Sequence, residues 1–395
     1  MWHRIWMTIP PSKSHTMRAL LFEFLSKKPC KIENILIAPE VLAFQNTLQN
    51  WDKIFFIDVK NSGLALHFLL VLAVLRSATT VIDGDTSIRT LRPIAPLVDA
   101  LREAGARIRY LEKEGFAPVE VRGPIQAANV SLVGTNSQHV SALLIAFSQV
   151  SGLSTVEVIS PKETPYVQMT LDWLQRFQGV IEHEGFFRFS IEGPLPISPF
   201  SYKVVSDFSS AAFILAAHRI LGIEGDFSLL DFEDSQGDKE IFQMLDQEEC
   251  TIFDTPDLLP IIMVLGVLGK GPKRIHGIHV ARQKESDRPL VMQKELEKMG
   301  AKISINWERD FLEIEPSVLK GAEVDSHHDH RICMSLAVAA LGAEGKTIVN
   351  GVDCVAKTFP NFFETYCSCR FAEIGKNDSG QVSILPIWNS ASGSR

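Results

Sequence analysis

Residues 329–341 read DHRICMSLAVAAL: Asp329, His330 and Arg331, then ten residues that are apolar apart from Ser335. An acidic residue able to accept from the free amides of a first turn, followed by a run that is apolar on every face, predicts a capped helix buried all round. Five other stretches share the design: SHTMRALLFEFL from Ser14, SGLALHFLLVLAVL from Ser62, SQHVSALLIAF from Ser137, SSAAFILAAHRI from Ser209 and DLLPIIMVLGVL from Asp257. The six starts are separated by 48, 75, 72, 48 and 72 residues, so 48 followed by about 75 occurs twice at an offset of 195. Arg92-Pro93-Ile94 leading to Gly105-Ala106-Arg107-Ile108 matches Arg288-Pro289-Leu290 leading to Gly300-Ala301-Lys302-Ile303 at the same offset. Each Gly is placed to end a helix in the left-handed conformation.

The chain therefore reads as two similar halves with a seam at 203–207. Each half holds three helix-led units, joined by the strand-like stretches KIFFIDV, VIDGD, TVEVI, KRIHGI, KISIN and KTIVNG. The two spacings of 48 fall about 24 residues short of their neighbours. At those places ILIAPEVLAFQNTLQNW and SQGDKEIFQMLDQEE run straight into the next strand, as if a β-hairpin had been removed. The tail, NDSGQVSILPIWNSASGSR, is Ser-, Gly- and Asn-rich and reads as a loose end.

The 395 residues are 46% apolar and 22% charged, ordinary globular usage that excludes collagen-like, coiled-coil and wholly disordered classes. A net charge of −8 argues against non-specific nucleic-acid binding and adhesion to anionic membranes, so an anionic ligand needs a local cluster of cations. The apolar run Leu64–Leu75 is shorter than the roughly 18 residues of a bilayer span, and the first residues carry no signal core. These features predict a cytoplasmic protein. The six cysteines form no C-x-x-C pair and read as reduced thiols, with Cys367 and Cys369 the one pair near enough in sequence for redox or metal chemistry.

The polar openings of the six helices collect chemistry: Lys13, Ser14 and Arg18; Asn61 and Gly63; Ser137 and Gln138; Asp207, Ser209 and Ser210; Asp257; Asp329, His330 and Arg331. If these ends point inward from both halves, helix dipoles and free amides create a cleft for phosphate and carboxylate. Arg92, Lys284, Arg288 and Lys357 add cations. Asp257 and Glu285, carboxylates in basic company, are the general acid/base candidates. The rival reading is a metal site from His327, His328, Asp329 and His330, whose spacing fits neither structural nor catalytic zinc. GVLGKG at 266 is not a phosphate loop, and no G-x-G-x-x-G follows a strand, which argues against a nucleoside triphosphate or NAD enzyme.

The stretches PPSKSHTMRAL, NSGLAL, LRPIAPLVDALREAGA, NSQHVSALL, PYVQMTLDWL, DFSSAAFILAA, SQGD, PDLLPIIMVL, RQKESDR, HHDHRICMSLAVAAL and AKTFPNFFE, in this order from 9 to 366, resemble the 3-phosphoshikimate 1-carboxyvinyltransferases of the enolpyruvyl transferase superfamily. The resemblance implies an α/β protein of two inside-out domains built from βαβαββ units around buried helices, here shortened in one unit per domain. It assigns residues 12–205 to the domain on the shikimate 3-phosphate side, 206–376 with 1–11 to the second domain, and 377–395 to a tail. It implies a monomer that moves the enolpyruvyl group of phosphoenolpyruvate to the 5-hydroxyl of shikimate 3-phosphate, with release of phosphate and no metal or organic cofactor. Carried over, Ser14, Arg18, Asn61, Ser137, Gln138, Tyr166 and Lys284 bind substrate, with Asp257 beside shikimate 3-phosphate; Lys13, Gly63, Arg92, Arg288, Arg331 and Lys357 surround phosphoenolpyruvate. Asp257 is the base and Glu285 the acid, with Lys13 and His330 assisting. The sister enzyme, UDP-N-acetylglucosamine 1-carboxyvinyltransferase, differs by a Cys between 83 and 92 and an Asn after the Lys, where this chain has no cysteine and Ser14. A non-catalytic anion-binding relative is the other alternative. This chain departs from the family pattern at Leu64, His67, where an Arg is usual, and Asn136, where a Ser is usual.

Overall fold

The structure is a computed structural model that describes residues 9–134, 136–179, 181–368, 372–377 and 380–386. Its contacts divide the chain into two compact units: Pro11–Val205 with Ser235–Gly237, and Met1–Pro10 with Ser206–Asp234 and Asp238–Arg395. They are called here the N-terminal and C-terminal units.

The N-terminal unit runs α1 (Lys13–Ser26), β1 (Lys31–Glu33), α2 (Pro39–Gln49), β2 (Phe56–Asp58), α3 (Gly63–Val74), β3 (Thr80–Asp83), α4 (Thr86–Thr90), α5 (Ala95–Glu103), β4 (Arg107–Tyr110), β5 (Val119–Arg122), β6 (Asn129–Val133), α6 (Ser137–Phe147), β7 (Gly152–Ile159), α7 (Thr164–Gln175), β8 (Ile181–Glu184), β9 (Arg188–Gly193) and β10 (Ser201–Lys203). The C-terminal unit follows with α8 (Phe208–Leu221), α9 (Ile241–Met244), β11 (Glu249–Thr251), α10 (Leu259–Val267), β12 (Lys273–His276), α11 (Arg288–Lys298), β13 (Lys302–Asn306), β14 (Phe311–Glu315), β15 (Leu319–Lys320), β16 (Glu323–Asp325), α12 (His330–Leu341), β17 (Ala343–Glu344), β18 (Thr347–Asn350), α13 (Phe362–Ser368), β19 (Ala372–Lys376) and β20 (Val382–Pro386).

Four sheets share one topology. Their orders are β2-β3-β5-β4, β6-β7-β9-β8, β11-β12-β14-β13 and β16-β18-β20-β19. In each, the first two strands are parallel across a helix and the last two form an antiparallel hairpin whose second strand returns beside the second parallel strand. That is βαβαββ, present twice in each unit. The third copy in the N-terminal unit is reduced to β1 paired with β10, and α2 passes to β2 through a single 3-10 turn at Trp51–Lys53 with no hairpin. In the C-terminal unit α9 likewise leads straight to β11.

The helices lie inside. Every residue of α3, α10 and α12 is buried, whereas strands alternate, as in the exposed-buried-exposed-buried-exposed pattern of β6. In the N-terminal unit α3 packs against α1 and α6; in the C-terminal unit α8, α10 and α12 pack on one another. A helix walled on all sides by other helices and by sheets needs an apolar surface all round, which explains six runs with no polar face. Gly105 and Gly300 take φ of +101° and +99°, the left-handed endings that their places after α5 and α11 require. The tail differs from the sequence expectation: Val382–Pro386 is a strand between β18 and β19, because Val382 and Ile384 alternate inward into the core. Residues 378–379 and 387–395 of that tail, residue 369 and the side chain of residue 367 lie outside the described part. Among the described cysteines, 30, 250, 333 and 354 are free thiols. No helix among the described residues is long and apolar enough to cross a membrane.

Candidate active site

The helix caps fall one or two residues from where the sequence puts several of them, and the shift decides which side chains remain available. Ser12 caps α1, Asn136 caps α6 and Asp207 caps α8, each accepting from a first-turn amide. Ser14, Ser137 and Ser209 therefore stand inside the first turns. Asn136 accepts from Gln138 N at 2.9 Å, a use for the Asn that stands where the family pattern has Ser. Ser62 and Asp329 cap α3 and α12 as expected. Asp257 caps nothing; it lies in a 3-10 turn, Pro256–Leu258, ahead of α10.

In the C-terminal unit the charges converge on Arg288, which opens α11 and is 1% exposed. Its Nη1 donates to Asp257 Oδ1 at 2.5 Å, its Nη2 to Glu285 Oε2 at 2.9 Å, and its Nε to Asp329 Oδ2 at 2.9 Å. Each carboxylate has a second donor. Arg331 Nη2 reaches Asp257 Oδ2 at 2.6 Å, Lys357 Nζ reaches Glu285 Oε1 at 2.6 Å, and Ser286 Oγ reaches Asp329 Oδ2 at 3.0 Å. Burial alone would raise the Asp257 carboxyl, but Arg331, Arg288 and Lys284 outweigh it and hold the group well below the usual carboxylate range. Burial likewise works against the Arg288 charge, and Asp329, Asp257 and Glu285 reverse it, so the guanidinium is protonated at every working pH. With Lys284, four cations gather around these three carboxylates, a concentration of donors that an anion can share.

His330 lies in the first turn of α12, its Nδ1 3.7 Å from Asp329 Oδ1. Asp238, missed in the sequence, lies within electrostatic reach of Asp257 and Arg331 and accepts from Ser209 Oγ. Burial, then the negative charge of Asp257, pushes its carboxyl up to about 7. The histidine run does not assemble as a metal site. His327 Nε2 pairs with Glu295 Oε1 at 3.0 Å and His328 is exposed. The described groups that could hold an ion are Glu285, Asp329 and His330, and both carboxylates already accept from Arg288.

In the N-terminal unit the first turns of α1, α3 and α6 carry the candidates. Arg92 is 7% exposed and passes beside Gly63, where a Cβ would lie 2.1 Å from Arg92 Nη1 and 3.1 Å from Gln138 Oε1. Only glycine admits the guanidinium there. Lys13 Nζ stands 3.4 Å from Glu40 Oε2, and Asn61 lies half-buried just ahead of the α3 cap. Ser137 Oγ donates to Glu163 Oε2 at 2.7 Å. Glu163 is a buried carboxylate in the left-handed conformation before α7, and the sequence gives no sign of it beyond the Thr164-Pro165 helix start.

Arg18 is held by partners in its own unit. Its guanidinium makes four hydrogen bonds within the unit: to Thr170 Oγ1 from Nε at 3.0 Å and Nη2 at 2.8 Å, to the Ser14 carbonyl at 3.2 Å and to the Tyr166 carbonyl at 3.0 Å. Burial brings its pKa down to about 10, with the Tyr166 charge opposing. Arg18 thus ties α1 to α7 and places Ser14 and Tyr166. His67, standing where an Arg is usual, is 1% exposed with Nδ1 2.6 Å from the Gly63 carbonyl, and Leu64 is core.

A sequence model of the family "EPSP synthase (3-phosphoshikimate 1-carboxyvinyltransferase)" matches residues 40–256 and 231–366. The 3-phosphoshikimate 1-carboxyvinyltransferase of Chlamydia pneumoniae is 35% identical over 401 residues, covering 90% of this chain and 89% of that one. That of Chlamydia caviae is 34% identical over 429 residues, covering 98% and 94%. An alignment longer than 395 residues means that the relative carries residues this chain lacks, in keeping with the two absent hairpins. Among solved structures, an EPSP synthase from Acinetobacter baumannii superposes with a TM-score of 0.73 at 21% identity, covering 92% of this chain and 94% of that one. The enolpyruvyl transferase NikO from Streptomyces tendae gives 0.68 at 16%, covering 93% and 95%. Four complete βαβαββ copies around buried helices, the charged array on Arg288 and these matches over nine-tenths of the chain agree: the chain belongs to the EPSP synthase family.

Proposed function

We propose that this chain transfers the enolpyruvyl group of phosphoenolpyruvate to the 5-hydroxyl of shikimate 3-phosphate and releases phosphate. The observation that carries the reading is the Arg288 array, in which two carboxylates, Asp257 and Glu285, are each held between two cations. Addition forms a bond from the hydroxyl oxygen to C2 of phosphoenolpyruvate and puts a proton on C3. Elimination breaks the bond from C2 to the phosphate oxygen and takes a proton back from C3, restoring the double bond. Asp257 takes the hydroxyl proton, Glu285 gives C3 its proton in addition and recovers one in elimination, and the proton on Asp257 leaves with the phosphate, with Lys13 and His330 assisting. Resting Asp257 is too strongly ionised to be an effective base. An arriving phosphate and carboxylate draw on the same Arg288, Arg331 and Lys357, relieving Asp257 of positive neighbours and raising its basicity at the moment both substrates are bound. In the N-terminal unit, Lys13, Gly63 and Arg92 are assigned to phosphoenolpyruvate, and Ser14, Asn61, Ser137, Gln138 and Tyr166 to shikimate 3-phosphate. Arg18 is assigned to shikimate 3-phosphate with them, and it also places Ser14 and Tyr166.

The test is phosphate release with both substrates, repeated with a chelator and with UDP-N-acetylglucosamine replacing shikimate 3-phosphate. Release is expected only with the shikimate substrate, unchanged by chelator, and reduced at least about 100-fold in Glu285→Ala and Lys13→Ala. No release from the wild type, or equal release from both variants, sinks the proposal.

A further inference from the structure

Two histidines beside Arg92 have no part in the chemistry assigned so far. His67 in α3 and His139 in α6 are 1% and 2% exposed, with ring centroids 5.0 Å apart and planes tilted by 39°. Each ring meets a backbone carbonyl: His67 Nδ1 lies 2.6 Å from the Gly63 carbonyl and His139 Nε2 lies 3.1 Å from the Pro93 carbonyl. A carbonyl oxygen can only accept, so His67 carries its proton on Nδ1 and His139 on Nε2. Burial keeps both rings neutral. His139 is pushed down to about 4, and His67 lies well below its ordinary value, driven by burial and then by His139 and Arg92.

The two carbonyls so held flank one object. Gly63 is the residue past which the Arg92 guanidinium runs, and Pro93 is the residue that follows Arg92. The side chain next to His139, Gln138, closes the same spot with its Oε1. The rings meet at this tilt in a buried, close-packed interior, so a shift of one bears on the other. We propose that His67 and His139 are positioning residues, a neutral imidazole pair that holds Gly63 and the Arg92–Pro93 segment in register and so aims the Arg92 guanidinium at its anion. The inference rests on the reading of Gly63 and Arg92 as phosphoenolpyruvate ligands. Preorganisation of this kind acts on binding of one substrate, since the guanidinium is set before the ligand arrives.

His67→Leu and His139→Leu keep apolar bulk and remove the donor; His67→Asn and His139→Gln return a donor at the δ and ε positions. Both Leu variants should raise KM for phosphoenolpyruvate about tenfold or more, leaving kcat and KM for shikimate 3-phosphate within about threefold, with the Asn and Gln variants close to wild type. His67→Phe and His139→Phe, which keep an aromatic ring without the donor, carry the same expectation where a Leu variant does not fold. A phosphoenolpyruvate KM within twofold of wild type in the donor-less variants, or kcat and both KM values changing together, overturns the pair's role. Calorimetric titration with inorganic phosphate separates this from the assigned activity. A wild type that binds phosphate about tenfold more tightly than the donor-less variants, yet releases none from its substrates, keeps the imidazole pair and loses the activity. Equal phosphate affinity in wild type and variants overturns the pair whatever the activity.

Discussion

Arg288 serves three carboxylates with one guanidinium, a task for a planar fork that a lysine ammonium cannot repeat. Arg288→Lys should lower stability by about 3 kcal/mol or more in denaturant titration, since it takes from buried Asp329 its cationic partner, and should abolish detectable phosphate release. Asp238 gives a pH dependence of opposite sign to that of an ordinary paired carboxylate. Its folded pKa of about 7 lies above the ordinary 3.8, so the folded state favours the protonated form. Its contribution to stability is complete below pH 4 and is lost as pH rises towards 7. Asp238→Asn should flatten the fall in melting temperature over that window; an unchanged slope would show that Asp238 is ionised in the fold. That Asp257, Glu285, Arg288 and Arg331 keep company was legible in the sequence, because charges at or near element starts in an acidic chain are conspicuous. The internal partners of Arg18 were not legible, since nothing in SHTMRALL says that the guanidinium reaches Thr170, 152 residues away. Glu163 and Asp238 were invisible for the same reason: their meaning lies in a partner on another element.

At the scale of elements, the six buried helices and the strands KIFFIDV, VIDGD, TVEVI, KRIHGI, KISIN and KTIVNG all appear where the apolar runs put them. Long unbroken apolar segments leave a chain few alternatives. Caps were less legible, because Ser12 and Ser14, or Asn136 and Ser137, are equally able acceptors and only packing chooses between them. The strand Val382–Pro386 was lost in a polar, glycine-bearing tail, since five residues are too few for alternation to stand out. The crossing of Arg92 over the first turn of α3 makes a prediction for that element. Gly63→Ala places a methyl 2.1 Å from the present Arg92 Nη1, so the guanidinium must move. KM for phosphoenolpyruvate should rise about tenfold or more with a smaller change in kcat. Melting temperature should change little, because Ala is the better helix former and alters only the first turn.

At the scale of the whole molecule, the repeat offset of 195 corresponds to βαβαββ units recurring in both halves of the chain, each with its own apolar core. A polypeptide of residues 11–205 alone should therefore fold, with cooperative thermal unfolding by circular dichroism; a featureless, non-cooperative melt would show that its core depends on the rest of the chain. The repeat was legible because it is written in spacing rather than in identity.

The same absent hairpin in each unit also gives the chain two matched addresses for engineering. After α2 the backbone turns at exposed Asp52 and Lys53, and after α9 at exposed Asp246, Gln247 and Glu248, about one repeat offset further on. Closing a longer surface loop costs only about 0.6 kcal/mol per doubling of its length. A fluorescent domain spliced into each junction would occupy ground that the architecture leaves unbuilt, giving a pair of reporters at corresponding places in the two halves without touching a helix start that carries charge.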